Sequence, residues 1–305
     1  MRVGSTVALQ SLPSDGPTAP AGEAILVPIL EADETSESRV LASALAAERG
    51  AEILFLRPVY SPGSMPVEFD GETRAEHHLV AKHVWRTTKD LAGATDVSGE
   101  VLVGRDPVRT VSEVVDGRDG ATVVLQESPS GDFWNGVRQS VVERIATHVD
   151  ADVVVANGRG TLDTVSSILV PVAGGPHSGF AVDAATALAR RTGAWVDLVH
   201  VVDPDASDEE RHRGEERLAA ARERTDGFER VDPWLLEAED VAGAIIEQAD
   251  YYDVTVLGAP TKSRLRQFVF GSTTDAVRRD ADAPVVIARR RTGDGWLGRW
   301  LKNDE

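Results

Sequence analysis

Apolar residues in this chain alternate between two patterns. Short, nearly continuous runs of branched residues occur at ILVPI (25–29), ILFLRPV (53–59), TVVLQ (122–126) and DVVVA (152–156). Runs of this kind suit strands buried on both faces of a parallel sheet. Between them lie longer stretches with apolar positions at helical spacing, such as ASALAAERG (42–50). Strands alternating with amphipathic helices predict right-handed crossovers and a parallel sheet covered on both sides.

The pattern occurs twice. AILVPIL (24–30) and ASALAAERGAEILFLRPV (42–59) match SILVPVA (167–173) and ATALARRTGAWVDLVHVV (185–202) at a constant separation of 143 residues. TVVLQ (122–126) and VERIATHVDADVVVA (142–156) match VTVLG (254–258) and TDAVRRDADAPVVIA (274–288), now 132 residues apart. The eleven extra residues of the first copy are expected to lengthen its helical stretch at 71–93. The predicted fold class is α/β, with two tandem, doubly wound, parallel five-stranded domains of Rossmann-like form at 23–157 and 166–291. A linker at 158–165 is too short to let them separate, which predicts an intramolecular pseudo-dimer. Residues 1–22, rich in Ser, Pro, Gly and Ala without a period, are expected to form a disordered leader. At 292–305, Trp296, Leu297, Trp300 and Leu301 form an amphipathic tail expected to dock on its own domain.

Composition narrows the function. With 42% hydrophobic residues among 305, each half can bury a core. Fifty acidic against 32 basic residues leave a net charge of -18, which argues against a nucleic-acid surface and against adsorption to anionic membranes. The only lysines are Lys82, Lys89, Lys262 and Lys302, and this acidic, arginine-over-lysine bias predicts a protein of a high-salt cytoplasm. Absence of cysteine excludes disulfides, thiolate metal sites and a cysteine nucleophile. No run approaches the roughly 18 apolar residues of a membrane span, and the first 22 residues lack the apolar core of a secretion signal. The expectation is a cytoplasmic protein without a transmembrane segment.

One segment runs against the overall charge. Between Gly258 and Gly271 lie Lys262, Arg264 and Arg266, and the segment closes with Gly271-Ser272-Thr273 ahead of a predicted helix. Glycine admits close approach of a ligand to the backbone, and a helix start presents N–H groups and hydroxyls to an anion. The same residues also suit a plain strand end at Gly258 and an N-cap at Ser272.

With these features the chain resembles the universal stress protein family in a tandem, haloarchaeal-like form. The resemblance covers both repeats through the ILVPV opening, the Gly-Ala start of the second strand, the acidic-to-apolar third helix and the DADAPVVIA ending. It implies the adenine nucleotide alpha hydrolase-like variety of the fold. Nucleotide-binding members carry Gly, two residues, Gly, nine residues, then Gly-Ser or Gly-Thr. Gly258, Thr261, Gly271 and Ser272 fall on those positions, with Thr261 where the second glycine is expected. The implied ligand is ATP or another adenine nucleotide, bound in the second domain by Pro171, Ala173, Gly174, Gly175, Gly258, Thr261, Gly271, Ser272 and Thr273. Members that bind ATP place Asp after the first strand, near the ribose and metal. Ala173 stands there, so no metal is expected. In the first copy Gln126, Pro129 and Gln139 replace the glycines and only Ser140 survives, while Asp132 disfavours a phosphate; this copy is a degenerate partner.

No catalytic constellation emerges. A Walker A loop would need Gly at 256 and 261, and AGGPHS (173–178) lacks the polar Ser and Asp of the pyrophosphatase loop it outlines. His77, His78 and His83 with Glu72 and Glu76 do not form the zinc-helix spacing. His200 suits a hydrogen-bonded sheet residue, and no acid pair or Ser/His/Asp set is visible. The expected function is a non-enzymatic, cytoplasmic regulatory protein of the stress response. One alternative is a ligand-free scaffold docking to a partner such as a membrane transporter, since similar domains are attached to transporters; a weaker one is nucleotide hydrolysis.

Overall fold

Polar residues that precede the apolar helical runs start the helices. Asp106 accepts from the Val108 N–H at 3.1 Å ahead of α2 (Pro107–Asp116), where Pro107 needs no N–H partner. Ser140 does the same for Glu143 at the start of α3 (Val141–His148). Ser207 and Glu210 form a reciprocal capping box on α5 (Asp208–Glu223), and Asp240 caps α6 (Val241–Ala249). The helices α1 (Ser36–Arg49) and α4 (Gly175–Thr192) are followed by Gly50 and Gly193, whose φ values of 62° and 78° stop the helix and start the return to a strand. The repeated Gly-Ala dipeptide thus has a backbone cause.

The computed structural model describes residues 8–9, 23–30, 36–60, 97–104, 106–127, 140–157, 159–260, 274, 276–277, 281 and 283–291. Its strands are β1 (Ala8–Leu9), β2 (Ala24–Pro28), β3 (Glu52–Tyr60), β4 (Val97–Gly104), β5 (Thr122–Gln126), β6 (Asp152–Ala156), β7 (Ser167–Pro171), β8 (Trp195–Val202), β9 (Val231–Glu237), β10 (Val254–Gly258) and β11 (Val285–Arg289). The expected helical stretch at 71–93 and the tail at 292–305 lie outside the described residues.

The fold is α/β with a mostly parallel sheet. Among the described residues all eleven strands belong to one sheet, in the order β1-β4-β3-β2-β5-β6-β11-β10-β7-β8-β9. Strands β4-β3-β2-β5-β6 are mutually parallel, as are β11-β10-β7-β8-β9. Between these runs β6 and β11 pair antiparallel, Val155 opposite Ile287, so the sheet is continuous where two sheets were expected. Within the segment expected to carry no fold, Ala8 and Leu9 pair antiparallel with Leu102 and Val101 of β4.

The core follows the sheet across this seam. On one face α1 and α4 pack together, and a single apolar layer unites Val27, Leu41 and Phe55 with Val170, Phe180 and Leu188. Leu162 and Val165, from the segment between the halves, are buried in that same layer. On the opposite face each half has its own cluster, one around Val111 and Ile145, the other around Ile245 and Val277.

Candidate functional site

In the second half β7 is the first strand and lies between β8 and β10, so successive crossovers leave it in opposite directions. That is the point at which ligands enter open α/β sheets, beyond the carboxyl ends of the strands. Pro171 ends β7 and Gly258 ends β10 there. After Pro171 the chain stays tied to β8 by the Val172 N–H on the Val199 carbonyl at 2.8 Å, then turns through exposed Ala173 into Gly174 and Gly175. These two glycines have φ of 88° and 81°, a conformation that side chains strongly disfavour. Among the described residues nothing would lie within 4 Å of a Cβ on Gly175, so none of them covers the turn there. Behind it, α4 starts without a side-chain cap on Gly174, and the Ala173 N–H donates to Ser178 Oγ at 3.2 Å.

Gly258 has a different neighbour. A Cβ there would lie 2.7 Å from the Ser178 nitrogen and 2.8 Å from the His177 carbonyl carbon, so the end of β10 is pressed against the first turn of α4. The structure thus brings Pro171, Ala173, Gly174, Gly175 and Gly258 to one crest. Thr261, Gly271, Ser272 and Thr273, with Lys262, Arg264 and Arg266, lie outside the described residues.

Three further side chains border the crest. His177 Nδ1 accepts from the Arg290 N–H at 3.1 Å, and burial, reinforced by the Arg289 charge and opposed by Asp152, pushes its imidazole below the ordinary value. His200, on β8, is buried and bonded to the Val172 carbonyl at 2.6 Å. Arg217, on α5, reaches His200 Nε2 at 3.2 Å and passes beside Gly174. Of these, sequence reasoning gave Arg217 no role. The signal was Gly214, a small residue one turn earlier in a helix otherwise crowded with charge.

At the matching strand end of the first half a side chain caps the neighbouring helix. Gln126 stands where the repeat places Gly258, and its Oε1 accepts from the N–H groups of Glu37 and Ser38 at 3.0 and 3.1 Å. The first turn of α1 is thereby capped by the protein itself. Glu37, fully buried, accepts in turn from the Gly160 N–H at 2.8 Å. Pro129, Asp132 and Gln139 lie outside the described residues.

A cleft of about 480 Å³ opens at the seam between the halves. Arginines and carboxylates line it in matched pairs: Arg290 with Asp152 and Asp183 at 3.4 and 3.7 Å, Arg224 with Asp183 at 2.7 Å, Arg49 with Asp152 at 3.8 Å, and Arg190 with Glu48. Arg49 and Arg290 also lie 5.4 and 5.5 Å from the centre of the Phe180 ring. Its cations are already neutralised, so we place the candidate site at the switch point and not in this cleft. Among the described residues no group of three His, Cys, Asp or Glu is placed to hold a metal ion, and no helix is long and apolar enough to cross a membrane.

Residues 164–289, which span β7 to β11, match the family model of the Universal stress protein family. The chain is also similar in fold to a universal stress protein from Archaeoglobus fulgidus DSM 4304, with a TM-score of 0.58, 17% identity, and 89% of this chain and 97% of the other covered. A second similar structure is the cytoplasmic domain of a prokaryotic cation chloride cotransporter, at TM-score 0.55 and 10% identity, covering 91% and 99%. No curated protein matches the chain in sequence.

Proposed function

We propose that this chain is a tandem universal stress protein of the cytoplasm, with domains at 23–157 and 166–291, and that it regulates by binding, without catalysis. Its second domain takes an adenine nucleotide. The observation that carries this reading is the Gly174–Gly175 turn at the switch point of β7 and β10, where no described residue comes within 4 Å of a Cβ on Gly175, while in the first half Gln126, at the place of Gly258, caps α1 instead. The spacing from Gly258 through Thr261 to Gly271, Ser272 and Thr273 supports a phosphate cradle that completes the site. The acidic, lysine-poor composition supports a high-salt setting.

Calorimetric titration of ATP, ADP and AMP at high salt, against wild type and Gly271→Asp, tests this. A carboxylate among the phosphates should abolish the heat of binding. Equal heats from the two proteins exclude the site.

A second reading is favoured by the likeness to the cotransporter's cytoplasmic domain and by the Gln126 cap that stands at the place of Gly258 in the first half. In it the chain is a ligand-free scaffold docking to a membrane transporter. Absence of any nucleotide heat from the wild type selects it.

A further inference from the structure

His200 has both ring nitrogens engaged by groups that can act in only one sense. The Val172 carbonyl accepts, so Nδ1 carries the proton; a guanidinium only donates, so Nε2 offers its lone pair to Arg217 Nη1 at 3.2 Å. These partners fix the ring's orientation and anchor it to the backbone beside the crest.

α5 is seated on this ring. A Cβ on Gly214 would stand 2.7 Å from His200 Cδ2 and 3.0 Å from Leu235 Cδ2, so only glycine lets the helix lie this close. Three residues on, the same helix face carries Arg217 over the crest. Its Nε, Cδ and Cγ lie 3.5, 3.6 and 3.8 Å from where a Cβ on Gly174 would be. Arg217 is exposed, and among the described residues no carboxylate is within ion-pair distance of it, unlike the arginines of the seam cleft. Ala173 next to it supplies no carboxylate either. In a chain of charge -18, an arginine aimed by a buried histidine over a two-glycine turn is a device for holding an anion.

We infer that Arg217 is the anion-reading residue of the second crest, pairing with a phosphate or pyrophosphate group above Gly174–Gly175, and that His200 positions it. For the adenosine portion this rests on the nucleotide reading above; for the anion it does not.

The test is calorimetric titration of the full chain with AMP, adenosine and inorganic pyrophosphate at one fixed salt concentration. The proteins are wild type, Arg217→Ala, His200→Asn and the double variant, each checked for an unchanged melting profile. Losing one charge-assisted, forked contact should weaken AMP and pyrophosphate about ten- to a hundredfold and leave adenosine unchanged. His200→Asn should weaken pyrophosphate less, and add nothing in the Arg217→Ala background, because it acts only through the arginine. An equal loss in both backgrounds overturns the positioning role. AMP binding to Arg217→Ala as tightly as to wild type overturns the inference and leaves the nucleotide reading intact. Arg217-dependent binding of pyrophosphate, with neither AMP nor adenosine bound, does the reverse. Failure of all three ligands to bind the wild type overturns both.

Discussion

His177 illustrates how a single residue here serves two elements. It sits in the first turn of α4, yet its Nδ1 receives the N–H of Arg290, just after β11. Burial and the nearby Arg289 charge hold its imidazole below the ordinary value of 6.5, so the folded protein favours the neutral ring. The unfolded chain then takes up the proton first as pH falls. The stabilisation is complete above about pH 6.5 and is lost progressively toward the lowered folded-state value. Between about pH 7 and pH 5 the melting temperature of the wild type should fall more than that of His177→Asn, whose amide oxygen keeps an acceptor for Arg290 without titrating. Parallel pH profiles for the two proteins would exclude this role. Such a residue is hardly legible in advance, since its partner is 113 positions away. Gly258 was legible as a special position from its place at a strand end and its spacing to Gly271 and Ser272. The pressure of α4 against it was not, because that depends on how the helix enters the sheet.

At the scale of elements, α5 tests which of two effects dominates. Replacing Gly214 by Ala should add about 1 kcal/mol through helix propensity. Against this, the new methyl would lie 2.7 Å from the His200 ring, and overpacking of that kind costs about 1–3 kcal/mol. Both neighbours are held in the sheet, so the clash should win, and Gly214→Ala should lower the midpoint of urea unfolding. A rise would mean that the helix is free to lift from β8 and β9. The parallel strands and their helices could be read from the sequence because buried strands are apolar throughout and caps carry short polar side chains. The antiparallel joint of β6 and β11 was less readable. VVVA and VVIA would look the same as central strands of either half, so neither run marks which partner it takes.

For the whole molecule, the shared layer of α1 and α4 and the continuous ladder make the halves depend on each other. The ion pair of Arg291 with Asp150 across the seam, at 3.0 Å, is exposed and contributes about 0–1 kcal/mol. Apolar burial and the backbone pairing must therefore dominate the coupling. Differential scanning calorimetry should show one endotherm, with matching calorimetric and van't Hoff enthalpies. Two resolved transitions would mean that the seam is too weak to bind the halves into one cooperative unit. The antiparallel joint also has a directional consequence. Strands of the two halves run in opposite senses, so their carboxyl ends emerge on opposite rims of the sheet. A body approaching either rim faces the tops of one half beside the bottoms of the other. The molecule cannot close both tops on one target like a pair of jaws; it has a front and a back, and whatever settles at Gly174 is presented to one side only.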